Sequence, residues 1–217
     1  MTSKFVSNQQ VLDRQKGISD QINRQITQYN TDIKSYFGTY YLDKETVDEK
    51  QKANNISFLF SGDHKGYTFS KNFSIVKGIN SSVFSELVTV DENINIIFDG
   101  VTFVEGKNTN DYLVYIKKGA KVIFQNCSFI RIDKTKTNLV GNVTTTTAKF
   151  VMLESPTAAA NIVTFSGCMF EQEADSGANE IVGRTGAFGS AYIYNSINAT
   201  TPAVALGAAV AGTGGNL

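Results

Sequence analysis

Two kinds of apolar spacing divide this chain. From residue 18 to residue 40 apolar side chains recur every third or fourth position, as along one side of an α-helix. From residue 87 to residue 170 they fall instead in short runs broken by Gly, Asn and Asp, which predicts strands joined by tight turns. The second region also repeats itself. Residues 87–103 (LVTVDENINIIFDGVTF) align without a gap to residues 113–129 (LVYIKKGAKVIFQNCSF), offset by 26. A third copy follows, with its first strand at 150–153 (FVML) and, after a turn longer by four residues, the remainder at 162–170 (IVTFSGCMF).

In this alignment Phe98, Phe124 and Phe165 coincide, and so do Phe103, Phe129 and Phe170. These six are the expected core. Between the two aromatic columns lies a constant corner, Asp99-Gly100, then Gln125-Asn126, then Ser166-Gly167. Gly and Asn enter the left-handed backbone region at least cost, so Gly100, Asn126 and Gly167 are expected to make sharp turns between strands. One such unit cannot bury its apolar side chains until another stacks on it, so the repeat predicts a solenoid of three strands per coil of about 26 residues. Coils are about 4.8 Å apart in such a stack. Asp91 and Glu92 should then stand beside Lys117 and Lys118. Cys127 and Cys168 should be stacked neighbours, either as two buried hydrophobes or as a disulfide.

The aromatic columns and corners resemble those of right-handed parallel β-helix proteins of the pectate-lyase-like superfamily. The resemblance covers about 56–198 when weaker coils at 56–69 and 191–197 are included, and its columns lie within 87–170. It implies a mainly β fold, and the expected organisation is an N-terminal helical segment over 1–50, a β-helix over 51–198 and an uncharged small-residue tail over 199–217. For that tail three fates stay open, disorder, a cover on the last coil or packing among subunits.

The helical segment carries a heptad. Ile22, Ile26, Tyr29, Ile33, Tyr36 and Tyr40 are spaced 4, 3, 4, 3 and 4 apart, as at the d and a positions of a coiled coil, with Ile18 one turn earlier. A helix with so narrow an apolar stripe needs company. Its stripe is expected to be buried against copies of itself, where repeated isoleucines favour three strands over two, or else against the end of the following domain. A charged connector over 43–52 separates the two regions.

Composition narrows the function. Twenty Lys and Arg balance twenty Asp and Glu, which argues against a nucleic-acid partner held by a basic face. The charges thin out along the chain, and none follows Arg184. The N-terminal residues lack the apolar run of a secretory signal and no stretch is long enough to span a bilayer, so neither export nor a membrane span is expected. With two cysteines and one histidine, His64, no spacing suits a metal, no cofactor is expected, and His64 is assigned to a surface loop.

Relatives of the resembled superfamily that cleave polysaccharide use paired carboxylates, or an acidic calcium cluster with a base, on one outer face. Here the acids do not form a column. Arg131-Ile132-Asp133-Lys134 is similar to an Arg-x-Lys pair without the rest of that signature, Arg131 and Arg184 have no acidic partner by spacing, and Glu171, Glu173 and Asp175 read as a solvated loop. No catalytic group is expected. The order of parts, a helical heptad followed by a short β-solenoid, resembles small trimeric fibre or decoration proteins of tailed bacteriophages, a likeness of architecture without a shared motif. It implies a head-fibre or tail-fibre-like virion protein, assembled in the host cytoplasm as a homotrimer. Its N-terminal part would attach to other virion proteins, and its solenoid would be able to touch a host glycan. A β-helix lyase or hydrolase and a bacterial surface adhesin are the alternatives.

Overall fold

A computed structural model describes residues 8–37, 39–42, 56–59, 61–105, 112–131, 148–154, 161–172, 178–200 and 203–214. The chain forms two compact units, Met1–Thr39 and Tyr40–Leu217.

The first unit is one helix, α1 (Asn8–Phe37). Leu12, Ile18 and Ile22 stand in solvent on it, Ile22 with 49% of its surface exposed. Ile26, Tyr29, Ile33 and Tyr36 also lie in α1, but their side chains fall outside the described residues. Tyr40 does not extend the seam: it belongs to a strand, β1 (Thr39–Leu42). The physical reason is compositional. The sequence places glycine, a poor helix former, at position 38 and then Thr-Tyr-Tyr-Leu, a β-branched and aromatic run suited to a pleated strand.

The second unit is built from coils in which the chain goes round once through up to three short strands. The first coil holds β2 (Ile56–Leu59), β3 (Gly62–His64) and β4 (Thr68–Phe69), and the second holds β5 (Ser74–Gly78), β6 (Ser82–Phe84) and β7 (Val88–Val90). The third has β8 (Asn95–Asp99), β9 (Thr102–Val104) and β10 (Val114–Ile116), and the fourth has β11 (Lys121–Gln125), β12 (Ser128–Arg131) and β13 (Ala148–Leu153). The fifth has β14 (Ile162–Ser166), β15 (Met169–Gln172) and β16 (Ala178–Arg184). A sixth has β17 (Ser190–Tyr194) and β18 (Ile197–Thr200), with Ala205 bridging Glu180 in place of a third strand, and β19 (Val210–Gly214) starts another circuit.

Each position in the coil makes its own sheet. The first sheet runs β1-β2-β5-β8-β11-β14-β17-β19, the second β18-β15-β12-β9-β6-β3 and the third β16-β13-β10-β7-β4. From β2 to β19 the strands pair in parallel. Three stacked parallel sheets, with one strand of each per circuit, are compatible with a parallel β-helix. Parallel strands need a connection that returns the chain to the same end, and here the other two sheets serve as that connection.

The coils are not of one length. The step from Asn95 to its partner Lys121 has the expected period. Those from Ile56 to Ile75, from Ser74 to Ile96 and from Ala191 to Val210 are shorter. The step from Ile162 to Ser190 is slightly longer, and that from Lys121 to Ile162 is the longest of all. The period expected from the repeat is therefore one step among several.

Burial alternates along nearly every strand, and the inward side chains make one core from Leu59 to Ala209. Phe98, Phe124 and Phe165 are fully buried and stack in a file, with ring centroids 5.4 Å and then 5.2 Å apart and planes within 13°. Phe103, Phe129 and Phe170 make a second file at 5.1 Å and 5.2 Å. The files meet edge to face, as between Phe103 and Phe124 at 89°. Offset stacks and edge-to-face contacts are both favourable for aromatic quadrupoles, and each contributes about 0.5–1.5 kcal/mol beyond area burial.

Between the files, Gly100, Asn126 and Gly167 have φ of 67°, 52° and 64°, and Asn195 continues the corner in the sixth coil at 47°. Residues 203–214 carry the chain back under the last coil, where Val204 and Ala209 are buried. The small residues of β19 have a steric role. A Cβ at Gly214 would lie 2.8 Å from the Tyr194 ring, so glycine leaves room for a tyrosine leaning across from the neighbouring strand.

Candidate interaction surfaces

The outer faces of the sheets carry what the core does not use. Side chains alternate sides along a strand, and in-register pairing lines like positions up from coil to coil. On the first sheet this places Ile56, Ile75, Ile97, Ile123, Thr164 and Tyr192 in one outward column. The neighbours two places back along each strand are Asn95, Lys121, Ile162 and Ser190, with Phe73 just before Ser74. Those two places forward are Phe58, Lys77, Asp99, Gln125, Ser166 and Tyr194. Four isoleucines in succession make an aliphatic ridge along the stack. On the second sheet the corresponding column passes from Asp63 through Val83, Thr102, Ser128 and Met169 to Ile197, which is exposed. On the third it passes from Thr68 and Thr89 through Tyr115 to Met152.

Phe73 adds to this face. It is 71% exposed and holds φ 54°, a backbone region that bulky side chains rarely enter.

Opposite charges pair between coils. Lys77 Nζ lies 2.6 Å from Asp99, Lys117 3.0 Å from Asp91 and Lys118 3.3 Å from Glu92. The last two are the expected pairs. Hydrogen bonds from Lys117 and from the Glu92 amide hold the Asp91 carboxyl below its ordinary value, and one from Lys77 does the same for Asp99. Lys117 is raised in turn by its bond to Asp91. Lys149 and Glu180 form a fourth pair at 2.9 Å outside the third sheet.

One ion pair is inside the stack. Arg131 donates to Glu105 at 2.7 Å and to the Lys149 carbonyl at 2.9 Å, and both charged side chains are wholly out of solvent. This corrects the expectation that Arg131 has no acidic partner. Glu105 and Arg131 are separated by the same offset that aligns Phe98 with Phe124, so the signal was in the alignment. The next coils continue the position with Gln172 and Thr200, both buried, which makes an inward polar file at the end of the second sheet. Asp133 and Lys134 lie outside the described residues, so no Arg-x-Lys arrangement is described; Arg131 itself faces inward.

His64 is also corrected. It is not in a surface loop: it ends β3 with 1% exposure, its ring tilted against Phe84 with centroids 5.7 Å apart. The strand period explains it, since Gly62 and His64 share a side and His64 pairs with inward Phe84. Cys127 and Cys168 are free and buried in successive corners. Burial pushes the Cys127 thiol up, and its Sγ lies 3.3 Å from the Gln125 carbonyl. In the next coil Ser196 takes that corner, accepting from the Cys168 amide at 3.1 Å and donating to the Tyr194 carbonyl at 2.9 Å. Glu171 lies on the outer side of β15, while Glu173 and Asp175 fall outside the described residues.

Among the described residues no group of three or more His, Cys, Asp or Glu side chains is placed to hold a metal ion, and no helix is long and apolar enough to cross a membrane. The isoleucine face was missed by sequence reasoning, although its signal was present: Ile96-Ile97-Phe98 and Val122-Ile123-Phe124 are unbroken apolar runs, which mark strands covered on both sides. Comparison of the chain with protein-family models, with curated proteins and with solved structures finds no match.

Proposed function

We propose that this chain is a virion structural protein of a tailed bacteriophage, a homotrimeric head-fibre or tail-fibre-like or capsid decoration protein. Its helical N-terminal part trimerises and attaches to other virion proteins. Its second unit, a right-handed parallel β-helix of the pectate-lyase-like kind, projects and is available to host glycans. The observation that supports this reading is that Leu12, Ile18 and Ile22 are left in solvent on α1, where Ile22 begins a heptad that a single helix cannot bury.

Light scattering on the purified protein tests assembly: a mass near three times 23.7 kDa is expected, and a monomer that persists at micromolar concentration overturns the trimer. Antibody labelling of gradient-purified phage particles tests location. Label at regular sites on the particle is expected. Recovery of the native protein in a cell envelope fraction without particles replaces this reading with an adhesin, and release of reducing ends or unsaturated sugars from a glycan panel replaces it with an enzyme.

A further inference from the structure

We infer that the outer face of the first sheet is a contact surface for second copies of this chain, packed side by side with their stacks parallel and in register. This deepens the assembly reading above and rests on it. The face carries Ile56, Ile75, Ile97 and Ile123 in one column, with Phe73 and Ile162 beside it. The strands that bear it are apolar on both sides, and such strands are ordinarily buried on both sides.

A second copy is the occupant that the column's own geometry fits. Its members stand one per coil, about 4.8 Å apart along the stack. A rotation axis parallel to the stack leaves every residue at its own height, so it sets the isoleucine column of one copy level with that of the next, Ile75 with Ile75, Ile97 with Ile97 and Ile123 with Ile123. Packing the copies in opposite directions would set the isoleucine end of the column against Thr164 and Tyr192 at the other end.

The flanks agree with the parallel arrangement. Rotation about such an axis carries the residue two places before the column in one copy toward the residue two places after it in the next. The pairs brought together are Phe73 with Lys77, Asn95 with Asp99, Lys121 with Gln125, Ile162 with Ser166 and Ser190 with Tyr194. No like charges meet at any level. The exposed Phe73 ring gains the Lys77 side chain to lie against, whose ammonium also stays bonded to Asp99 of its own copy.

Disulfide trapping on the full chain tests this. Ile97→Cys and, separately, Ile123→Cys are outward substitutions that leave the core intact. With copper phenanthroline as oxidant, each is expected to form covalent dimers at least tenfold faster than Thr89→Cys, which is outward on the third sheet. Preferential linkage of Ile75→Cys to Tyr192→Cys in a mixture would overturn the parallel register. Trapping of Ile97→Cys no faster than Thr89→Cys, in a sample that light scattering shows to be oligomeric, would overturn this surface and leave assembly to the helix. A monomer by light scattering would overturn both.

Discussion

Arg131 and Glu105 set a demanding condition in the solenoid, because both charges are removed from water. Desolvating an ion pair costs several kcal/mol per ion, and the return depends on close geometry and on further hydrogen bonds. Here the 2.7 Å contact is joined by the bond from Arg131 to the Lys149 carbonyl, which ties the second and third sheets together at that corner. Removing one partner leaves a buried charge uncompensated. Glu105→Gln is therefore expected to destabilise the protein by about 3–5 kcal/mol, and Glu105→Met with Arg131→Met to recover most of that loss. Urea unfolding of the full chain measures both, and a Glu105→Gln variant within about 1 kcal/mol of the parent, the scale of an exposed pair, would show that the pair is not isolated from water. Neither residue attracts attention by local spacing. Their partnership is legible only after the coils are aligned, as is the burial of His64, which depends on the strand period inside the weaker coil at 56–69.

Strands and corners form the next level, and here each element is specified by its neighbours above and below. Phe124 sits between Phe98 and Phe165, Asn126 repeats the turn of Gly100 and Gly167, and Asp91 meets Lys117 one coil on. Those columns were legible because β8 and β11 pair in the register of the ungapped alignment, Phe98 against Phe124. The others were not. Shorter steps, such as Ile56 to Ile75, and the long one from Lys121 to Ile162 move equivalent positions out of simple alignment while leaving the pairing in space unchanged. The charge ladder has a definite pH signature. Asp91 and Asp99 have carboxyls held below their ordinary value of 3.8, so their contribution is complete above it. It is lost as pH falls through the still lower folded values. Lys117 is raised above 10.5, so its share is present below that value and is lost only as pH rises through the raised one. Exposed pairs contribute no more than about 1 kcal/mol each. The thermal midpoint should fall on acidification below about pH 4, where carboxylates begin to protonate, and Asp99→Asn should flatten that fall. An identical pH profile for Asp99→Asn and the parent would remove the Lys77–Asp99 pair from the account.

Across the whole molecule the apolar surface is distributed unequally between the two units. The solenoid's core is composed of residues from Leu59 to Ala209. The helix, for its part, leaves Leu12, Ile18 and Ile22 in solvent. A fold whose second unit supplies its own core should survive the loss of the helical seam, whereas an assembly held by that seam should not. Ile26→Asp together with Ile33→Asp places two charges on the heptad stripe and leaves every residue of the solenoid core unchanged. The expected result is a fall in light-scattering mass toward 23.7 kDa with the β-rich circular dichroism and its melting transition largely retained. Collapse of the β signal in the same variant would mean that the helix closes the end of the solenoid in each chain. An unchanged oligomer would mean that assembly does not depend on the heptad, as expected if the isoleucine face of the first sheet holds the copies together.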